Sequence, residues 1–396
     1  MLSKWYMLAL TSITLAAARV LPAICMPVLF KEIADGLGLN LTQIGAIWGM
    51  FPLGSIFVLL IGGLLSDHFG FRRTLIYGCF LTGLSGAARG FAFDFISLMA
   101  TSLIFGMVSS IIPPASTVAA GLSLSENRKG LAQGILMTTA GAGMVIATSI
   151  SATILSPLLG GWKNVMFFYG AINIIISGLW LFTIKQTESN TTAVNTSLSA
   201  FLKPLLQIIR IKAVWLIGMV GFFYMAGVIS MVGFLPLYLR GIGWMAAAAD
   251  GALATFMAFG TIGAIPLTLL SDKIGRRKIF LLAAFLSAIV CMGFLTVVHN
   301  QIVWGLIIFA GVFNSMVPAL LGTICFEEKT VEPQVIGMAI SFTITLSHLG
   351  MIISAPIGNS LADIYYGLPF VFWAALVVLG LIFLAFLKET GWRANN

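Results

Sequence analysis

The stretch LLSDHFGFRR (residues 64–73) returns almost intact as LLSDKIGRRK (residues 269–278). The same offset of 205 residues carries DGLGL (residues 35–39) onto RGIGW (residues 240–244). Further along, PPA (residues 113–115) meets VPA (residues 317–319) at an offset of 204. Because the repeat aligns charged loops as well as apolar segments, it predicts two copies of one unit in the same orientation. Such repeats are typical of transporters that move two bundles about a central site.

The composition places those two copies in a lipid bilayer. Apolar residues make up 59% of the 396 positions, charged residues only 9%, and the mean hydropathy is +1.06. A soluble domain carries roughly a quarter charged residues. About twelve segments are apolar over a membrane-spanning length. The sequence therefore predicts an all-α polytopic membrane protein, with twelve transmembrane helices arranged as two six-helix bundles.

One long polar stretch, KQTESNTTAVNTSLSAFLKP (residues 185–204), separates the sixth apolar segment from the seventh. It divides the chain into a first bundle at residues 1–185, a linker at residues 186–211 and a second bundle at residues 212–396. The first apolar segment begins like a signal peptide but continues past Arg19 to Phe30. That length exceeds the apolar core of a signal peptide, so we interpret the segment as the first transmembrane helix.

The lysines and arginines predict the orientation of the chain. If the N-terminus is cytoplasmic, sixteen of the 21 basic residues lie on the cytoplasmic side and four, Lys31, Arg89, Lys163 and Arg240, lie outside. Such an excess marks the cytoplasmic side of a membrane protein. We therefore expect both termini and the linker to be cytoplasmic, in the plasma (inner) membrane of a bacterium. The same distribution explains the net charge of +8 without a nucleic-acid partner.

The repeated loop resembles the signature of the major facilitator superfamily, G-x-L-a-D-r-x-G-r-k between the second and third helices. The first copy matches with Gly63, Asp67, Gly70 and Arg72, and the second with Asp272, Gly275 and Arg277. Two departures are Phe71 at a basic position and Thr268 at the first glycine position. The resemblance implies a monomeric secondary transporter that works by alternating access. It also implies a gating latch at these seven residues, although a loop that only sets the topology is an alternative.

Arg19 is the one basic residue that lies deep inside an apolar segment. An arginine at mid-membrane costs about 2.5–3.5 kcal/mol to insert, and such residues face polar partners or water-filled cavities. No carboxylate is expected at mid-membrane, because all 13 acidic residues fall in loops or at segment ends. A guanidinium can bind a carboxylate or phosphate through two hydrogen bonds, so a ligand is one counter-ion for Arg19. The alternative is a structural arginine that donates to carbonyls opened by Pro22.

Four uncharged or weakly basic residues complete the expected binding site. Tyr224 is the repeat image of Arg19, and Asn314 is the image of Ser110. The resemblance implies that helices 1, 4, 7 and 10, which carry these residues, line the substrate cavity. His348 lies mid-helix on a face with Ser341 and Thr345 and could bind substrate or carry a proton. Packing is the alternative role for Tyr224, and hydrogen bonds between helices are the alternative for Asn314 and His348.

These observations favour a transporter, secondary active or facilitated, that moves a small organic anion, either a carboxylate or a phosphorylated metabolite. A coupling proton or a counter-substrate remains open. Proton-coupled efflux of lipophilic compounds is the first rival, and a non-transporting membrane sensor is the second. Family members that export drugs often carry an arginine in helix 4, where this chain has Ser102. We find no nucleotide-binding or hydrolase motif, no metal-type spacing and no cofactor signature, so no enzyme activity is expected.

Overall fold

The computed structural model describes residues 2–124, 128–183, 205–298, 301–332 and 335–391, with backbone alone for residues 2, 3 and 59–69. Within those ranges all regular elements are helices, which confirms the predicted all-α class. The predicted linker at residues 186–211 lies largely outside the described residues.

The first half of the chain forms six membrane-crossing helices within the described ranges. Three of them are interrupted, the first and fifth by π-helical turns and the fourth at Ser110–Ile111. The segments are, in chain order, Leu2–Thr14, Leu15–Val20 (π), Leu21–Ile24 and Met26–Leu37 for the first helix, Leu41–Phe69 for the second, Phe71–Ala88 for the third, Phe95–Ser109 and Ile112–Ser123 for the fourth, Lys129–Ile150, Ser151–Leu155 (π) and Ser156–Leu159 for the fifth, and Trp162–Thr183 for the sixth.

The second half forms six more helices in the described ranges, and these are more regular. The tenth helix breaks at Ser315, but the seventh and eleventh are continuous α-helices. Their bounds are Lys212–Gly241 for the seventh helix, Ala246–Ile274 for the eighth, Arg277–Leu295 for the ninth, Ile302–Asn314 and Met316–Glu327 for the tenth, Ile336–Ser360 for the eleventh, and Leu368–Phe386 for the twelfth.

Eleven of these helices are long and apolar enough to cross a membrane, judged over the described residues. The third helix, Phe71–Ala88, completes the predicted twelve. It is less apolar because it begins with Arg72 and Arg73 and contains several glycine, serine and threonine residues. Small residues of this kind let neighbouring helices approach closely, so the same composition that lowers hydropathy favours packing.

The chain divides into two compact units. Unit 1 comprises Met1–Gln43 and Met50–Asn195, and unit 2 comprises Ile44–Gly49 and Thr196–Asn396. Most of the second helix thus belongs to unit 1, while a six-residue stretch near its start groups with unit 2.

The internal repeat reappears as the same helix crossing in each unit. In unit 1, Gly106 of the fourth helix lies against the backbone carbonyl of Phe51 in the second helix. In unit 2, Gly311 of the tenth helix lies against the carbonyl of Phe256 in the eighth, and a Cβ on Gly311 would come within 2.7 Å of that oxygen. Both pairs are related by 205 residues, so the glycine at each crossing allows the same close backbone approach.

Candidate functional site

Arg19 lies in the π-helical turn Leu15–Val20, which interrupts the first helix. Single π turns inside α-helices are frequent at functional sites because they re-aim side chains and free backbone groups. In this fully described turn the other five residues are buried, whereas Arg19 is half-buried. The π turn therefore presents the guanidinium at the edge of the interior of unit 1.

The helix around the π turn is held by polar contacts from the sixth helix. Asn173 Nδ2 donates to the carbonyl of Ala18 at 3.4 Å, and Trp180 Nε1 donates to Thr14 Oγ1 at 2.8 Å. On another side, Gly143 of the fifth helix leaves room for Ala16, whose Cβ would lie 3.1 Å from a Cβ at that glycine. The backbone of the turn is thus fixed from two sides, and the orientation of Arg19 follows from it.

The guanidinium of Arg19 contacts an aromatic ring and no acidic group among the described residues. Its Cζ lies 4.1 Å from the centroid of the Phe51 ring, a cation–π contact. Within the same ranges Arg19 makes no hydrogen bond and no ion pair. For the structural alternative, in which Arg19 donates to carbonyls opened by Pro22, no such bond is present in these ranges. The guanidinium thus lies over an aromatic ring, and its N–H groups have no acceptor among the described residues.

Ser110 is buried at the break of the fourth helix and already has two partners. Its hydroxyl donates to the carbonyl of Gly106 at 2.7 Å and contacts Ser55 Oγ at 2.8 Å. Ser55 in turn donates to the carbonyl of Phe51 at 3.0 Å. These bonds link the second and fourth helices beside the Phe51 ring, so a ligand would have to exchange with them to reach the Ser110 hydroxyl.

In unit 2 the structure brings Tyr224 and Asn314 together. The Tyr224 hydroxyl donates to Asn314 Oδ1 at 3.3 Å, which is long for such a bond. The Tyr224 ring is buried and lies 4.9 Å from the ring of Phe285, whereas Asn314 is half-buried. The seventh and tenth helices are thus joined through these two residues within one unit.

His348 is half-buried in the eleventh helix, one turn beyond Thr345. The hydroxyls of Ser341 and Thr345 donate to carbonyls of their own helix, Gly337 at 3.0 Å and Ser341 at 2.8 Å. The two hydroxyls on that face are therefore used within the helix.

The second copy of the repeated loop forms a dense charged network. Arg277 Nη1 lies 2.5 Å from Asp272 Oδ1, and its Nη2 lies 2.8 Å from Glu327 Oε1. Gly275, with φ 68°, ends the eighth helix in the left-handed conformation that favours glycine. Glu389, from the segment after the twelfth helix, accepts the backbone N–H of Arg277 at 2.6 Å. This acceptor satisfies the start of the ninth helix, which has no side-chain cap of its own.

The first copy uses a different partner for its arginine. Arg72 Nη2 donates to the carbonyl of Leu181, near the end of the sixth helix, at 2.8 Å. Gly70, with φ 76°, again provides the turn between the two helices. Gly63 and Asp67 lie in the second helix, but the side chain of Asp67 is outside the described residues.

Sequence reasoning misses three features near these sites. Phe51, one of 30 phenylalanines, carries no signal until Arg19 is placed over it. The sequence places Arg89 in an external loop, but its side chain is only 2% exposed because the third helix continues into a 3₁₀ turn over Phe105. The sequence contains only a weak indication of the role of Glu389. It is an acidic residue just after the twelfth span, where it can reach the basic loop at residues 269–278.

The described residues contain no group of three or more histidine, cysteine, aspartate or glutamate side chains that could hold a metal ion. The four cysteines, Cys25, Cys79, Cys291 and Cys325, are free and buried, as expected for small apolar residues.

Three relatives with named substrates resemble this chain. The 3-(3-hydroxy-phenyl)propionate transporter of Escherichia coli is 24% identical over 78% of this chain and 76% of its own. The probable sulfoacetate transporter of Cupriavidus necator is 24% identical over 44% of this chain. The hexuronate transporter of Bacillus subtilis is 27% identical over 40% of this chain. The last two matches span 40% and 37% of those relatives, so they cover less than half of each.

Solved structures share the fold at low sequence identity. A point mutant of the nucleoside transporter NupG superposes with a TM-score of 0.81 at 12% identity, covering 96% of this chain and all of that one. A bacterial homologue of the human lysosomal transporter Spinster superposes with a TM-score of 0.77 at 14% identity, over 97% and 96% of the two chains.

The family itself is shown by a profile match that covers almost the entire sequence. The description of that profile is Major Facilitator Superfamily, and it matches residues 8–329 and again 252–393. The second match begins inside the first, as expected for a chain built from two copies of one unit. With its repeated loop, twelve helices and glycine crossings, this chain is an integral membrane transport protein of the Major Facilitator Superfamily.

Proposed function

We propose that this protein moves a small organic carboxylate across the membrane by alternating access, and that Arg19 is the main partner of the carboxylate. The observation that carries the proposal is the environment of Arg19. Its guanidinium is half-buried in a bilayer-spanning segment and has no acidic partner or hydrogen-bond acceptor among the described residues. A counter-ion stabilises a charge in that position, so Arg19 should favour the binding of a solute that carries a negative charge.

The geometry of Arg19 supports a planar anion. Phe51 covers one face of the guanidinium at 4.1 Å and restricts its rotation. The N–H groups lie in the plane of the guanidinium, so they remain available for two parallel bonds to a carboxylate. The backbone that carries Arg19 is held in the π turn, so less conformational entropy should be lost when the solute binds. Phosphate esters offer the same charge but a tetrahedral group, and they serve as a comparison class in the experiment.

The named relatives support the carboxylate class. The relatives from E. coli, C. necator and B. subtilis are named as a 3-(3-hydroxy-phenyl)propionate, a probable sulfoacetate and a hexuronate transporter. A probable galactarate/D-glucarate transporter of E. coli, 23% identical over 40% of this chain, adds sugar diacids. All four names specify organic acids, and Arg19 is the group in this chain suited to bind their shared anionic end.

Further contacts to the solute are proposed in each unit. In unit 2 the long Tyr224–Asn314 bond can exchange for a bond to a solute hydroxyl or carbonyl, since little free energy is lost at 3.3 Å. His348 is proposed to bind the solute or to carry a coupling proton. In unit 1, Ser110 acts as a contact after exchange of its bond to Ser55.

The latch is proposed to hold one conformation of the transport cycle. In unit 2, Asp272, Gly275 and Arg277 form the network that would open and close. In unit 1 the corresponding residues are Gly63, Asp67, Gly70 and Arg72. The basic loops favour a cytoplasmic location of both copies in a bacterial inner membrane, with a monomer as the working unit. A reporter fused after Asn396 tests this topology, because periplasmic activity of the reporter contradicts it.

Thermal unfolding of the purified protein tests the substrate class directly. The probes are 3-phenylpropionate, glucarate, sulfoacetate, glycerol 3-phosphate and tetraphenylphosphonium, with 3-phenylpropionamide as the neutral match of the first. We expect a carboxylate to raise Tm and the amide to have no effect. Stabilisation by tetraphenylphosphonium in preference to all acids would favour the rival export of lipophilic compounds and overturn the proposal.

Uptake into proteoliposomes then tests Arg19. A charge-assisted hydrogen bond contributes about 1.5–3 kcal/mol, so the loss of even one of the two bonds in Arg19→Ala should weaken affinity for the acid by roughly tenfold to a hundredfold. Arg19→Lys keeps the charge but loses the two-bond geometry and should recover part of the affinity. Lys163→Ala, which removes an exposed cation from the same unit, is the matched control. Unchanged affinity in Arg19→Ala would rule out the proposed contact.

A further inference from the structure

Arg89 is a second arginine of unit 1 without an acidic partner among the described residues, and it is far more deeply buried than Arg19. It stands in the 3₁₀ turn Arg89–Phe91, where its side chain is 2% exposed. Its Cζ lies 4.0 Å from the centroid of the Phe105 ring, and its Nε donates to the carbonyl of Gly86 at 3.3 Å. Nη2 is buried and has no hydrogen-bond partner in the described part of the chain.

Such a group is costly unless something compensates for it. The effective penalty for burying an unpaired ion is several kcal/mol even after relaxation of the surroundings. One cation–π contact contributes about 0.5–2 kcal/mol, and a single carbonyl satisfies one of five N–H donors. No carboxylate among the described residues forms an ion pair with Arg89. The contacts present therefore leave most of the penalty uncompensated.

A second group without a hydrogen-bond partner among the described residues, a hydroxyl, lies in the fourth helix. The third and fourth helices pack against each other, and a Cβ added to Gly86 of the third would lie 3.6 Å from the Phe105 ring of the fourth. The helices are joined by a short connection, so they run in opposite directions. Arg89 follows Gly86 by three residues in the chain, and Ser102 precedes Phe105 by three residues. Both residues therefore lie about one helical turn from the contact, on the side of the connection between the helices. Ser102 Oγ is also buried without a hydrogen-bond partner among the described residues.

We propose that Arg89 and Ser102 form a binding site for a small monovalent inorganic anion of halide size. The site offers a positive charge, an N–H donor and an O–H donor against the aromatic wall of Phe105. A water molecule would satisfy the donors but leave the charge unpaired, whereas a halide satisfies both. The 2% exposure of Arg89 excludes a bulky organic anion. This site is separate from the proposed carboxylate contact at Arg19, which stacks on a different ring.

The test measures Tm of the purified protein in sodium bromide against sodium sulfate at equal ionic strength, without any organic solute. We expect a saturable upward shift of Tm with bromide in the wild type and in Arg19→Gln. The shift should be lost in Arg89→Gln and should require severalfold more bromide in Ser102→Ala. An equal bromide response in Arg89→Gln, or no response in the wild type, overturns the proposal. Loss of the shift in Arg19→Gln alone would assign the anion to Arg19 and overturns it as well.

A second measurement keeps the proposal testable if Arg89→Gln does not fold. Crystals of the wild type grown in bromide should show an anomalous peak within hydrogen-bond distance of Arg89 Nη2, and crystals of Ser102→Ala a weaker one. Absence of the peak in the wild type overturns the proposal. Neither result depends on whether the protein transports a carboxylate, because no solute of the proposed transport class is needed in either experiment.

Discussion

The two units stabilise their interior arginines in opposite ways. In unit 2, Arg240 is paired with Asp250 at 2.5 Å, and Arg277 with Asp272 and Glu327. In unit 1, Arg19 and Arg89 have no acidic partner among the described residues and instead lie over the rings of Phe51 and Phe105. Both units follow one repeated pattern, but different side chains face their arginines.

The backbone differs in the same direction. The first and fifth helices of unit 1 contain π turns, whereas their counterparts in unit 2, the seventh and eleventh helices, are continuous α-helices. Unit 2 keeps this regularity in spite of Pro236 and Pro356 inside those helices. Irregular backbone combined with uncompensated charge is expected where a ligand completes the structure. The comparison therefore favours ligand binding by charge in unit 1 and a more rigid frame in unit 2.

The largest effect on stability should come from breaking the buried pair of unit 2. The side chains of Asp250 and Arg240 are 1% and 12% exposed. Asp250→Ala removes the carboxylate that pairs with Arg240, which should cost about 3–5 kcal/mol. Unfolding in detergent, followed by labelling of the buried Cys291 and Cys325, measures the loss.

The double variant Arg240→Ala/Asp250→Ala is the matched control for that prediction. Because it removes both charges, it should be more stable than Asp250→Ala alone. Equal destabilisation by the single and double variants would mean that packing, and not the unpaired charge, dominates. Labelling of Cys25 and Cys79 reports unit 1 in parallel.

A smaller effect is expected at the start of the ninth helix. Glu389 accepts the backbone N–H of Arg277 at 2.6 Å and that of Lys278 at 3.1 Å. Loss of a capping acceptor typically costs about 0.5–2 kcal/mol, so Glu389→Ala should destabilise unit 2 by that amount. Glu389→Gln keeps one acceptor and should cost less. Lys388→Ala alters the neighbouring residue and should leave Tm unchanged; an equal loss there would contradict a specific role for Glu389.

These cases show what the sequence could and could not predict. The repeated loop and the apolar spans are local patterns, so the twelve helices were predictable. The ion pair of Asp272 with Arg277 joins two latch residues five positions apart in one loop, whereas the glycine crossings at Gly106 and Gly311 became visible only in the structure. The acceptor Glu389 lies more than 100 residues from Arg277, and pairing of that kind depends on tertiary packing.

The environment of Arg19 was predictable only in part. Its depth and the absence of mid-membrane acids followed from the sequence, and they suggested an unpaired charge. The π turn did not follow, because LAAARV has an ordinary α-helical composition and the turn depends on contacts from other helices. Arg89 was assigned to a loop because the sequence was divided only into membrane spans and exposed loops. A buried 3₁₀ turn at the end of a span belongs to neither class.

Removal of Arg19 should therefore affect stability far less than removal of Asp250. Arg19→Met loses a cation–π contact of about 0.5–2 kcal/mol but also removes a half-buried charge, so the net change in Tm without solute should be near zero. The same variant should lose the solute-dependent rise in Tm. A destabilisation as large as that of Asp250→Ala would show that Arg19 has an essential structural partner and would end the contrast between the units.

A small effect on stability is also expected at the Tyr224–Asn314 contact of unit 2. A net hydrogen bond contributes about 0.5–1.5 kcal/mol, and this one is long at 3.3 Å, so Tyr224→Phe should cost less than about 1 kcal/mol. The ring stays in place and keeps its contact with Phe285. Uptake is the informative readout: a raised KM for an acid that carries a hydroxyl, with an unchanged KM for one that does not, would assign Tyr224 to the solute. If both KM values stay unchanged, Tyr224 serves packing alone, and recognition of the solute by unit 2 must then reside in Asn314 or His348.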